Sequence, residues 1–160
     1  MERRIQKILI IVNLNKKEAE STAESIKAYM EKRGIKTTIY GFRENPEIPN
    51  PGDIDLAFSL GGDGTVLFSS RILGPIGVPI MAVNLGDFGF VTEVSREEWP
   101  AAFEKYVEGK LGISSRIMIR VKVQRNGDEI YDCIGLNDMV ISAASISKIV
   151  RLSVSLSDTQ

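Results

Sequence analysis

The run Leu56-Ala57-Phe58-Ser59-Leu60 barely alternates, and it breaks directly into Gly61-Gly62-Asp63-Gly64. A strand with one wet face alternates polar and apolar side chains. A strand covered on both faces reads instead as near-continuous apolar sequence, the habit of parallel sheets held between layers of helices. KILIIV at 7–12 and PIMAVN at 79–84 read the same way, KTTIY at 36–40 supplies a further strand, and the third strand covers 55–60. Helical signals lie between them. Asn15 is a candidate cap with Glu18 three residues on, Ala19, Ala23, Ile26 and Met30 share a face, and Gly34 stops the helix. A short helix is expected from about Thr65 to Leu73, and Ser95 with Glu98 forms a capping box opening a helix towards Gly109. This alternation predicts an α/β fold: an open, mostly parallel, Rossmann-like sheet with flanking helices, a nucleotide-binding domain over residues 1–110.

After Gly112 the period changes to two. Ile117, Ile119, Val121 and Val123 fall on one face, with Met118, Arg120, Lys122 and Gln124 on the other. Asn126-Gly127 is a hairpin turn signal, and the chain returns through 129–135. Val150, Leu152, Val154 and Leu156 alternate again, predicting a further strand. Residues 111–160 therefore read as the beginning of a β-rich, antiparallel substrate-binding domain that is incomplete. Such a half-covered sheet implies a truncated chain, or one completed by another chain.

Composition narrows the chemistry. With 160 residues, 43% of them hydrophobic, the chain can bury a real core. Its 20 basic and 21 acidic residues balance to a net charge of −1, which argues against a nucleic-acid or membrane-surface binder. One cysteine and no histidine remove disulfide frameworks and the usual zinc and Ser-His-Asp sites. The apolar stretch at 8–12 is too short for a signal peptide core or a membrane span, so a cytoplasmic protein is expected.

Gly-Gly-Asp-Gly by itself is often no more than a turn. Here a strand precedes it and a helix follows, at the carboxyl end of a parallel strand, where open α/β sheets bind ligands. It is neither a Walker loop nor a complete dinucleotide fingerprint, since Leu67 stands where the third glycine belongs. Backbone amides of Gly61, Gly62 and Gly64, with the Thr65 hydroxyl and the helix N-terminus, are suited to a diphosphate. Asp63 is not. A carboxylate there fits a neutral hydroxyl about to attack phosphorus, whose proton it accepts late.

Gly61-Gly62-Asp63-Gly64-Thr65 resembles the signature shared by NAD kinases, diacylglycerol and sphingosine kinases and, more distantly, phosphofructokinases. NLGDFGFVTEV, from Asn84, is similar to the N-x-G-x-x-G-F segment of NAD kinases, and LNDMVIS, from Leu136, resembles their L-N-[ED] motif. EGKLGISSRIMIRVKV resembles the family's passage into its β domain. The resemblance implies a kinase that phosphorylates the adenosine ribose 2′-hydroxyl of NAD to give NADP, with ATP or polyphosphate as donor and Mg²⁺ or another divalent cation. Asp63 would be the acid–base residue, aided by Gly64, and Asn137 and Asp138 would bind the ribose. Residues from Asn84 through Gly86 to Phe90 would line the nucleotide pocket, with Phe88 and Phe90 as its aromatics, and Lys148 would be a basic contact. No protein-held metal ligand is assigned, and a homo-oligomer is expected.

Taken alone, Asn137-Asp138 reads equally as a turn pair, Phe88 and Phe90 as core, and Lys148 as a solvated strand residue. Phe68 stands where relatives often carry a basic residue, with Arg71 as the available substitute, and Phe88 and Val91 replace the leucines of L-G-F-L. The family's downstream D-G and T-P-T-G-S-T-A-Y stretches do not occur in the sequence. Two other functions stay open: a diacylglycerol-type lipid kinase sharing residues 61–65, and a non-catalytic nucleotide-binding module if the chain ends at Gln160.

Overall fold

A computed structural model of the chain describes residues 3–44, 50–86, 89–143, 149 and 151–155. Five strands form one parallel sheet in the order β2-β1-β3-β4-β5: β1 (Lys7–Asn13), β2 (Lys36–Phe42), β3 (Leu56–Gly61), β4 (Ile80–Asn84) and β5 (Val94–Ser95). Helix α1 (Ala19–Glu31) joins β1 to β2, α2 (Asp63–Leu73) lies between β3 and β4, and α3 (Trp99–Val107) follows β5. A small antiparallel sheet of two strands follows, β6 (Met118–Arg125) and β7 (Asp128–Leu136). The expected fold class is the one observed.

The absence of alternation in β1 and β3 has the anticipated cause. Ile8, Ile10 and Val12 of β1 join Phe58 and Leu60 of β3 beneath α1 and α3, in a core closed by Ile26, Met30, Trp99 and Phe103. Leu9, Ile11 and Ala57 point the other way and meet Phe68, Ile72 and Leu73 of α2. Every residue of β3 is buried. The predicted face of α1 is also right, since Ala19, Ala23, Ile26 and Met30 are each at most 1% exposed. Gly34, at φ 73°, takes the left-handed turn after it.

The capping at the start of α1 differs from expectation. Asn15 does not cap it; its side-chain amide donates to the carbonyl of Arg43 at 2.7 Å, tying the β1–α1 turn to the end of β2. The helix starts at Ala19 instead, after Glu18 in a left-handed conformation at φ 61°. Ser95 and Glu98 do pair, but the serine hydroxyl and amide both donate to the Glu98 carboxylate, at 2.6 and 3.2 Å. These bonds hold that carboxyl below its ordinary pKa. Ser95 itself belongs to β5, a strand the sequence reading omits.

In the hairpin, Asn126 and Gly127 take φ 55° and 92°, both left-handed, as a two-residue turn of the predicted kind demands. Within β6 the alternation holds, with Ile119 and Val121 half-buried and Arg120, Lys122 and Gln124 exposed, although Ile117 is 75% and Val123 is 39% exposed. Met118, on the other face, is also covered: it packs within 3.2 Å of the position a Cβ on Gly74 would occupy, and its register partner Leu136 is buried. Of the strand expected over Val150 to Leu156, the described residues 151–155 carry none, with Leu152 and Val154 exposed, and Val150 and Leu156 lie outside the described residues. Among the described residues, no helix is long and apolar enough to cross a membrane.

Candidate functional site

The carboxyl edge of the sheet carries the glycine segment, which is tighter than a loop. Gly61 is still strand, paired in register with Asn84 of β4, and Asp63 is already the first residue of α2. Gly62 alone makes the junction, with φ −116° and ψ −166°. The helix thus opens two residues earlier than expected, placing Asp63 and Gly64 in its first turn. An acidic group there is favourably placed against the positive end of the helix dipole.

The three glycines do different work. A Cβ on Gly61 would lie 2.1 Å from Oγ1 of Thr65 and 2.8 Å from its Cβ, so only glycine lets the helix turn back so sharply onto the strand. Thr65 is correspondingly turned inward, 3% exposed, and its amide donates to the Gly62 carbonyl at 2.9 Å. Its hydroxyl therefore lies against Gly61 rather than facing outward as the sequence reading pictured. At Gly62 and Gly64 a Cβ would meet nothing within 4 Å. Bare backbone faces open space there, at the end of a helix whose first amides have no intrahelical acceptor.

Asp63 does not extend into solvent. Its Oδ2 accepts the Phe90 amide at 2.9 Å and its Oδ1 accepts the Val91 amide at 3.1 Å. The neighbouring Gly89 comes so close that a Cβ on it would sit 2.1 Å from Oδ1. Gly89 in turn donates its amide to Oγ1 of Thr92, at 3.2 Å, and Thr92 is 1% exposed. The second glycine segment is therefore folded around the first one's carboxylate. An ionised carboxyl has about four acceptor positions, so two amides leave capacity for another donor.

Asn84 lies buried beside Gly61, and its Oδ1 accepts the Gly86 amide at 2.9 Å. Gly86 is exposed, and Phe90 is 97% exposed, which removes the reading of Phe90 as core. A cleft of about 280 Å³ opens between Lys17 and Glu18, residues 84–86, and residues 95–97. Arg96 crosses it, ion-paired with Glu18 and with Glu97. The structure thus gathers Gly61, Gly62, Asp63, Gly64, Thr65, Asn84, Gly86 and Phe90 at one edge. Asn137 and Asp138 follow β7, where Asn137 takes φ 63° and donates its amide to the Ile117 carbonyl at 3.0 Å. Among the described residues, no hydrogen bond joins either of them to Asp63. Phe88 and Lys148 lie outside the described residues.

Sequence reasoning set Gly89 within the 84–90 pocket segment without giving it the carboxylate contact, took Glu18 only as a capping partner, and passed over Arg96.

Residues 45–111, which include the Asp63 segment and its amide partners, match the family model described as the ATP-NAD kinase N-terminal domain. The NAD kinase of Treponema denticola is 34% identical over 154 residues, covering 94% of this chain and 54% of the relative. That of Moorella thermoacetica is 34% identical over 162 residues, covering 94% and 50%. For Geobacter sulfurreducens the figures are 32% over 162 residues, covering 96% and 57%. The chain spans about half the length of the curated relatives it matches. The crystal structure of yeast NADH kinase complexed with NADH superposes with a TM-score of 0.60 at 17% identity, over 82% of this chain and 47% of that one, a likeness of fold. The alignments run through nearly the whole chain and the family model covers the segment that builds the site: the chain is similar to NAD kinases, and residues 45–111 match their N-terminal domain.

Proposed function

We propose that this chain carries the acid–base centre of an NAD kinase, which converts NAD to NADP by phosphorylating the adenosine ribose 2′-hydroxyl. ATP or polyphosphate is the donor in this reading. Residues 1–110 form the α/β nucleotide-binding domain and residues 111–160 open a β-rich substrate domain that contributes Asn137 and Asp138.

The observation that carries the reading is the position of Asp63. It is a fixed carboxylate in the first turn of α2, beside the bare backbone of Gly62 and Gly64. The amides suit phosphate oxygens and the carboxylate suits an alcohol, so one helix end handles both partners of a phosphoryl transfer without repelling either. The ribose hydroxyl donates a hydrogen bond to Asp63 while its oxygen attacks the terminal phosphorus. As the new O–P bond forms, the bond from phosphorus to the donor's bridging oxygen breaks, and the hydroxyl proton passes to Asp63. A carboxylate is a weak base, which matches a proton lost late. Phe90 offers an exposed ring for a base to stack on, and Phe88 and Lys148 complete the pocket in this reading.

Mg²⁺, or another divalent ion, supplies charge neutralisation on the donor's phosphates. Among the described residues, no group of three or more His, Cys, Asp or Glu could hold a metal. A cytoplasmic homo-oligomer belongs to the same reading, supported by the exposed apolar residues of the β6–β7 hairpin, and sedimentation tests it. The functional test is turnover by the full-length protein. Wild type should form NADP from NAD, and Asp63→Asn should lower kcat by at least about a thousandfold with NAD binding retained. Near-normal turnover by the variant would falsify the assignment.

A further inference from the structure

Residues 108–117 lead from α3 to β6 and are exposed throughout, so no buried side chain fixes how the hairpin leaves the parallel sheet. The hairpin rests on α2 through β7, and Met118 meets the end of that helix at Gly74. Apolar packing of this kind is non-directional and lets one element slide over another. A polar contact adds the direction that packing lacks.

Arg116 makes that contact. Its Nη2 donates to Oε1 of Glu93 at 3.4 Å. The arginine side chain is 36% exposed although the neighbouring Ile117 is 75% exposed, so it folds back onto the protein instead of extending into water. Both ends of the pair belong to segments on which the site depends. Glu93 follows Thr92, the buried residue whose hydroxyl accepts the Gly89 amide, and lies two residues beyond Val91, whose amide holds Asp63. Arg116 precedes Ile117, whose carbonyl accepts the Asn137 amide at 3.0 Å. The pair thus closes a short path from the carboxylate to the turn that carries Asn137 and Asp138. Among the described residues, no other side chain between 108 and 117 bonds to the 89–95 segment.

We propose that Arg116 is a positioning residue, whose ion pair with Glu93 sets the spacing between Asp63 and the Asn137–Asp138 turn before substrate arrives. The inference rests on the functional reading above, in which Asp63 and that turn hold the same ribose, but the tether itself stands without it. A site assembled from two parts binds with an affinity reduced by the fraction of molecules in which the parts are correctly spaced. Releasing the tether therefore weakens substrate binding and leaves the chemistry of correctly bound molecules alone. Arg116 touches no reacting atom, so its loss acts on KM, whereas Asp63→Asn acts on kcat.

The test is steady-state NADP formation by the full-length protein, with a tryptic digest in parallel. Arg116→Met should raise KM for NAD about fivefold and keep kcat within about twofold of wild type. Glu93→Gln should do the same, and the double variant should be no worse than either single, because all three lose one contact. Exchanging the charges, with Glu93→Arg and Arg116→Glu together, should return KM to within about twofold of wild type. Raised salt should narrow the gap between wild type and Arg116→Met, since the pair is exposed. In the digest, Arg116 must release Glu93 to enter the protease. Glu93→Gln should therefore speed cleavage after Arg116 about threefold and leave cleavage after Lys110 unchanged. An exposed pair contributes little to folding, so these variants should melt with wild type. Unchanged KM in Arg116→Met, additive losses in the double variant, or equal cleavage after Arg116 in wild type and Glu93→Gln overturns the proposal. The expected digest from a protein that forms no NADP keeps the tether and sinks only the functional reading.

Discussion

Gly89 touches no substrate in the proposed chemistry, yet replacing it with alanine should cripple turnover. The new carbon would lie 2.1 Å from Oδ1 and 2.6 Å from Oδ2 of Asp63, whereas real Cβ atoms essentially never come within 3.0 Å of such a neighbour. The carboxylate has to withdraw by about an ångström. Backbone strain plays no part, because Gly89 is not among the residues with left-handed φ. Withdrawal breaks both bonds, from Phe90 and from Val91. A hydrogen bond to a charged group contributes about 1.5–3 kcal/mol where water is excluded. Asp63 is only half-buried, so the two together should contribute about 2 kcal/mol to stability. Turnover should suffer more, since an ångström of misplacement costs on the order of 100-fold. The assay is steady-state NADP formation by the full-length protein with a melting curve alongside. We expect kcat to fall about 100-fold while KM for NAD moves less than about threefold. In an Asp63→Asn background the same substitution should cost almost nothing further, because the group it displaces is already disabled. Turnover within about threefold of wild type, or an equal proportional loss in both backgrounds, refutes the positioning argument.

Other outcomes follow from the same geometry. Gly61→Ala should destabilise the fold by about 1–3 kcal/mol, read from the melting temperature, because its Cβ would overlap Thr65. Gly64→Ala meets nothing within 4 Å and should change stability by less than about 1 kcal/mol, so any loss of pyrophosphate affinity in that variant reports ligand contact. Ser95→Ala should let the Glu98 pKa rise towards its ordinary value, as followed by carboxyl resonances in an NMR titration. The sign is fixed by the lowered folded-state value: stabilisation from this pair is present above the ordinary carboxylate range and disappears as pH falls through the depressed pKa, and Ser95→Ala should flatten that loss.

How much of this could be read from sequence depended on how local its cause was. The apolar runs announced β1, β3 and β4 because burial on both faces is written into every residue of a strand. The α1 stripe was legible for the same reason, being a periodic demand of one packed face. Strand β5 was not, since two residues carry no pattern and their place is set by pairing of Val94 and Ser95 with Val83 and Asn84. The start of α1 was missed because Asn15 spends its side chain on Arg43, across a tertiary contact. The cover over Met118 was not legible, because it comes from Gly74, a contact between segments far apart in the chain. At the site, the glycines and Asp63 stood out by residue type. What Asp63 binds did not, because its partners are main-chain amides 27 and 28 residues away, and a backbone amide has no letter of its own.

The junction of β3 and α2 by the single residue Gly62 also constrains how this segment can change over evolutionary time. Adding or removing one residue would swing α2 by about 100° about its axis, turning Phe68 and Ile72 out of their layer and aiming the acidic side chain at the wrong quadrant. Length variation is therefore closed to it. Divergence among descendants of this chain has to proceed by substitution at fixed spacing there, while indels accumulate in stretches that are not geared to both a strand and a helix.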